Sequence, residues 1–228
     1  MRSLKALTTF SLCLITVSFS GANVANSCGW GGESDGDDEI IMLEIGADGE
    51  PLTDNLSMIT SPKLQNETGN QFREDANYEQ ALIWYKKAAE QGNKEAQNNL
   101  AGLYEFGLGL PQDFTKAIHW YRLAATTGEP HAQHSLGVIY AEGKGVEKNV
   151  GMAHLWLVKA ADQKHLKAFA DMAKIMEQGP EKLKWLMLAV HHGDSDANPA
   201  LKAARAQCTK DDINKSEELF SQWLADRG

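Results

Sequence analysis

The chain has 228 residues, 22 Lys+Arg against 31 Asp+Glu, a formal net charge of −9 and three cysteines. Such a length bounds one modest domain. The acidic balance argues against a nucleic-acid partner, because phosphate binding needs a basic face.

Arg2 and Lys5 precede Ala6 to Phe19, an apolar stretch of 14 residues, and Ser18/Ser20 or Ser20/Ala22 satisfy a signal-peptidase site. Residues 1–22 therefore read as a secretory signal. Its removal leaves 20 basic residues facing 31 acidic ones, a net charge of −11. The stretch falls short of the about 20 apolar residues that a membrane span needs. Cys28 lies too far from it to serve as a lipoprotein cysteine, and no later segment has the length to cross a bilayer. A periplasmic location is expected, with an extracellular one as the alternative.

Residues 23–62 carry no Lys or Arg and include Glu33-Ser34-Asp35-Gly36-Asp37-Asp38-Glu39, which reads as a solvated, partly disordered acidic segment. A calcium loop is the sharper reading, but D-x-D-x-D-G is absent. The run Ile40 to Ile45, closed by Gly46-Ala47-Asp48-Gly49, predicts a short strand and turn. Cys13 departs with the signal, so Cys28 and Cys208 are candidates for one bridge in an oxidising compartment. Chain length permits it, since the residues from Cys28 to Pro62 extend up to roughly 110 Å. Cys208 as an ordinary buried residue at a helix end is the alternative.

From residue 63 to 207 the chain repeats. Trp84, Trp120 and Trp156 stand 36 residues apart, each with Ala three before (Ala81, Ala117, Ala153) and Ala four after (Ala88, Ala124, Ala160). Trp185 joins the frame through Ala189. Ala96, Ala132, Ala168 and Ala197 follow twelve after, and Leu100, Leu136, Met172 and Leu201 sixteen after. Gly92, Gly128 and Gly193 fall where a first helix ends, and Lys164 replaces the expected glycine. Each unit is thus a helical hairpin, and hairpins that cannot bury their apolar faces alone must stack. The recurring Trp residues belong to the inter-repeat core and not to a ligand-stacking ladder.

Two loops, Gly107-Leu108-Gly109-Leu110-Pro111-Gln112-Asp113 and Gly143-Lys144-Gly145-Val146-Glu147-Lys148-Asn149, are absent from a tetratricopeptide repeat of period 34. On these loops and on AEQGNKEAQNNLAGLYEFGLGLPQDFTKAIHWYRLAA the segment resembles Sel1-like repeats. The resemblance implies an all-α fold, an α/α solenoid of tetratricopeptide-like hairpins, and a monomeric adaptor that binds a protein or peptide of the cell envelope through its concave face. It implies that helices over 95–106, 131–142 and 167–178 line that face. In their frame Asn70, Arg73, Glu95, Asn98, Glu105, His131, His134, Lys167, Lys174 and Glu177 turn toward it, forming a polar groove of mixed charge with few aromatics. The repeat is irregular at both ends: Gly69 is only twelve residues before Ala81, and Trp185 follows Trp156 by 29.

Residues 208–228 complete the chain. Thr209-Lys210-Asp211-Asp212 is a helix start, and Ile213, Leu219, Phe220, Trp223 and Leu224 give one apolar face, which predicts a capping helix over the last repeat. A helix that docks a partner would instead leave Trp223 exposed.

Catalytic signatures are missing: there is no G-x-S-x-G, H-E-x-x-H or C-x-x-C, and the G-x-G loops join helix to helix without a preceding strand. No enzyme, cofactor or metal centre is therefore expected. Two alternatives stay open. Glu95, Glu105 and Glu177 could serve a glycan-binding or hydrolytic site, which requires two carboxylates within about 10 Å. His131 and His134, spaced i, i+3, could hold a metal if further ligands converge; His191-His192 end another helix, where they favour its dipole.

Overall fold

The computed structural model describes residues 13–14, 42–43 and 61–227. Two compact units divide the chain, 1–60 and 61–228. In the first, β1 (Cys13–Leu14) pairs antiparallel with β2 (Met42–Leu43), Cys13 opposite Leu43 and Leu14 opposite Met42. Most of the signal segment, the acidic run Glu33 to Glu39 and Cys28 lie outside the described residues, and with Cys28 the Cys28–Cys208 pairing.

The second unit contains α1 (Pro62–Glu74), α2 (Tyr78–Glu90), α3 (Lys94–Phe106), α4 (Phe114–Thr126), α5 (Pro130–Glu142), α6 (Val150–Asp162), α7 (Leu166–Ile175), α8 (Pro180–His191), α9 (Ala197–Ala206) and α10 (Lys210–Arg227). Helix starts are set by short polar side chains: Asn77, Asn93, Asp113 and Asn149 each accept a hydrogen bond from the amide three residues on. Helix ends repeat just as regularly. The carbonyls of Ala88, Ala124, Ala160 and Ala189 each accept from the amide five residues later, the closing bond of a Schellman motif. Gly92, Gly128 and Gly193 sit at positive φ in these turns, and Lys164 holds the same conformation at φ 62°. With a side chain that conformation costs about 1–2 kcal/mol.

Packing follows the frame read from the sequence. The three alanine sets are buried, and so are Trp84, Trp156, Trp185, Leu100, Leu136 and Met172; Trp120 and Leu201 are half-buried against the same clusters. The second glycine of each loop has a specific task. Gly109, at φ +70°, lies so close to the start of α2 that a Cβ would come 2.8 Å from Tyr78 and 2.9 Å from the Glu79 nitrogen. Gly145, at φ +67°, meets Phe114 at the start of α4 in the same way. Each loop therefore folds back on the first helix of its own hairpin. No such loop joins α7 to α8: α7 is shorter, and the chain passes through Gly179 directly into Pro180.

The C-terminal helix caps the array. Asp212 accepts from the Thr209 amide at 3.1 Å while Thr209 Oγ1 accepts from the Asp212 amide at 3.2 Å, a reciprocal capping box in its Asp form. Trp223 is buried against Phe169 and Trp185, at centroid distances of 5.6 and 6.3 Å, so this helix closes the core and does not hold out an apolar face.

Candidate functional site

A groove of about 1080 Å³ runs along α1 and along α3, α5 and α7, the second helices of the hairpins α2–α3, α4–α5 and α6–α7. Five of the ten residues expected on this face line it: Arg73, Asn98, His131, His134 and Lys167. The other five do not. Asn70 faces inward, its Oδ1 accepting from Tyr85 Oη at 2.8 Å and from Asn99 Nδ2 at 3.2 Å. Glu105 is buried and accepts from Tyr121 Oη at 2.7 Å. Glu95 is exposed in the first turn of α3, where it accepts from Asn66 Nδ2. Lys174 pairs with Asp171 at 2.6 Å and borders a separate depression of about 900 Å³ between α7 and α9. Glu177 is exposed beyond the end of α7, which stops at Ile175.

These placements correct the expected character of the groove. The three glutamates that gave it mixed charge are not among its lining residues; Arg73, Lys164 and Lys167 are. Aromatic surface is not scarce either, since Phe106 is 66% exposed and lies in the groove with Tyr121 and three imidazoles. Glu105, Glu95 and Glu177 do not share the site, so the pairing that a glycan-cleaving centre needs is not formed there.

His165 is the residue that the sequence frame missed. It occupies the helix-start position held by Asn93 and Glu129 in the preceding repeats, and it reaches His131 and His134 of the neighbouring hairpin. Its Nε2 stands 3.1 Å from His131 Nδ1, its ring stacks on His134 at 4.6 Å, and His134 Nε2 bonds Asp171 Oδ2 at 2.7 Å. Among the described residues no group of three or more ligating side chains is disposed to hold a metal ion. The cluster is instead a hydrogen-bonded array that ties α5 to α7.

Its electrostatics are uneven. Burial, then the neighbouring His134, His131 and Lys167, push the His165 imidazole down to about 4, with Asp171 opposing. Burial pushes Asp171 up, but hydrogen bonds from His134 and Lys174 outweigh it and hold the carboxyl below its usual range. A base whose pKa is lower folded than unfolded contributes stability above pH 6.5 and loses it as pH falls toward 4. Urea midpoints measured at pH 7 and pH 4.5 should therefore separate more for the native chain than for His165→Asn, which keeps a helix-capping side chain without the titration. Equal separation in the two proteins would remove His165 as a source of acid sensitivity.

Two polar atoms of groove residues have no hydrogen-bond partner among the described residues: Asn98 Oδ1, as oriented, and His165 Nδ1, both shielded from solvent. Such atoms cost about 1–3 kcal/mol each when left unpaired.

Stacked helical hairpins with a groove along their second helices define an α-solenoid repeat protein. The family model described as Sel1 repeat matches residues 67–93, 94–128 and 130–165. Among solved structures, a Sel1 repeat protein from Oxalobacter formigenes is 34% identical with a TM-score of 0.55, over 60% of this chain and 59% of its own. The structure of c5321, a protective antigen present in uropathogenic Escherichia coli strains displaying an SLR fold, is 28% identical with a TM-score of 0.63, over 76% of this chain and 40% of its own. The chain thus spans less than two thirds of either neighbour. No curated protein matches it. Sel1 repeats thus account for residues 67–165 of the chain, which is similar in sequence and fold to these two repeat structures. No described helix is long and apolar enough to cross a membrane.

Proposed function

We propose that this protein is an exported, monomeric, non-catalytic adaptor that binds a protein or peptide of the cell envelope along the groove of α1, α3, α5 and α7. One observation carries the reading: the groove crosses α1 and three successive hairpins and is lined by exposed apolar, polar and cationic side chains, the surface that an extended peptide needs. The signal-like residues 1–22 support export to a periplasm, or to the exterior, and Sel1 repeats supply a scaffold suited to protein contacts.

Photoreactive residues at Asn98 and His134, compared with controls at the exposed Ile83 and Leu155, test it in envelope extract of the native host. A discrete protein captured through the groove positions alone is the expected result. Capture of equal material from both sets, or of glycan only, would remove the groove as a protein-binding site.

A further inference from the structure

We infer that the groove is selective for acidic peptide segments carrying interspersed apolar side chains; this rests on the adaptor reading and specifies its partner. Acidic and basic residues nearly balance over residues 61–228, 22 against 20, yet the groove is lined by Arg73, Lys164 and Lys167 and by no Asp or Glu. Two carboxylates back the wall without facing an incoming ligand as free charges. Glu105 is buried under the Tyr121 hydroxyl, and Asp171 is held by His134 and Lys174. The lining thus gathers cationic side chains and excludes free carboxylates, and charge complementarity on this face steers and selects an acidic ligand.

A further feature favours a peptide over a polyanion such as a sulfated glycan. Phe106 and Leu166 are 66% and 48% exposed within the groove, and they offer contacts that only a ligand with apolar side chains uses.

A displayed library of random dodecapeptides, panned on the full chain at about 0.1 M salt, tests this, because charge contacts at the surface are still felt at that ionic strength. Recovered peptides are expected to be enriched in Asp and Glu, with Leu, Ile or Phe between them, and depleted of Lys and Arg. The double variant Arg73→Glu/Lys167→Glu alters two exposed side chains, and its folding is checked by circular dichroism. It should bind the recovered peptides at least tenfold more weakly and select a library without acidic enrichment. Recovery of no peptide, recovery with the input charge distribution, or unchanged selection by the variant would each overturn the inference. So would displacement of the peptides by dextran sulfate that binds as tightly as they do. Failure here is separable from failure of the adaptor reading: a groove-crosslinked protein whose captured segment is neutral or basic sinks the acidic preference and leaves the adaptor standing.

Discussion

Gly145→Ala should destabilise the solenoid by about 3 kcal/mol, the sum of a left-handed conformation imposed on a side chain and an overlap that the packed helix start must relieve. The position is at φ +67°, and its new methyl would run into Phe114 Cβ, an atom fixed to the backbone of α4 that cannot rotate away. Gly128→Ala is the control. It too has positive φ, +89°, but nothing lies within 4 Å, so it should lose only the conformational part, about 1–2 kcal/mol. Thermal melts should show the difference as a lower midpoint for Gly145→Ala by several degrees, since each kcal/mol moves the midpoint of a domain this size by about 2–4 °C. Equal melts for the two variants would mean that the loop does not press on Phe114 in solution.

Phe169→Ala should cost about 3–5 kcal/mol, the range for emptying an aromatic side chain from a core. The ring is fully buried, stacks on His192 at 4.7 Å and 11°, and abuts Trp185 and Trp223. It is where α7, α8 and α10 meet, so its loss should also free the C-terminal helix. Urea titration followed by tryptophan emission reads both effects: a lower midpoint, and a red-shifted native spectrum as Trp223 gains water. A cost under about 1 kcal/mol would show that the cap folds independently of the repeats, as distant, uncoupled elements do.

Periodicity made the hairpins legible, because small residues at fixed offsets can only be satisfied by close helix contacts. Trp84, Ala88, Ala96 and Leu100 set a frame that the structure fills with buried side chains. The reason for the second loop glycine was not legible, since it lies in contact with a residue 31 positions earlier, Tyr78 for Gly109 and Phe114 for Gly145. Five of the ten residues that helical offsets turn toward this face line the groove, and two of the other placements share a cause. Offsets describe one helix, whereas Glu105 and Asn70 are claimed by tyrosines of the neighbouring helix, whose buried hydroxyls need acceptors. Tyr85 and Tyr121, 36 residues apart, were the signal for that pairing. His165 escaped because it belongs to a turn, outside any helical frame, and Lys164 beside it drew notice only as a missing glycine. Phe106, the last residue of α3, was assigned to no face.

The return of each G-x-G loop to the first helix of its own hairpin has a consequence for how such chains change length. Because the closure of residues 78–113 is internal, and that of 114–149 repeats it, a block of 36 residues can be duplicated or deleted without orphaning a loop. The segment after α6 lacks this closure and depends on α10 instead, so it is not interchangeable with the blocks before it. Growth of the array by recombination is thereby confined to its first half, while its terminus stays fixed.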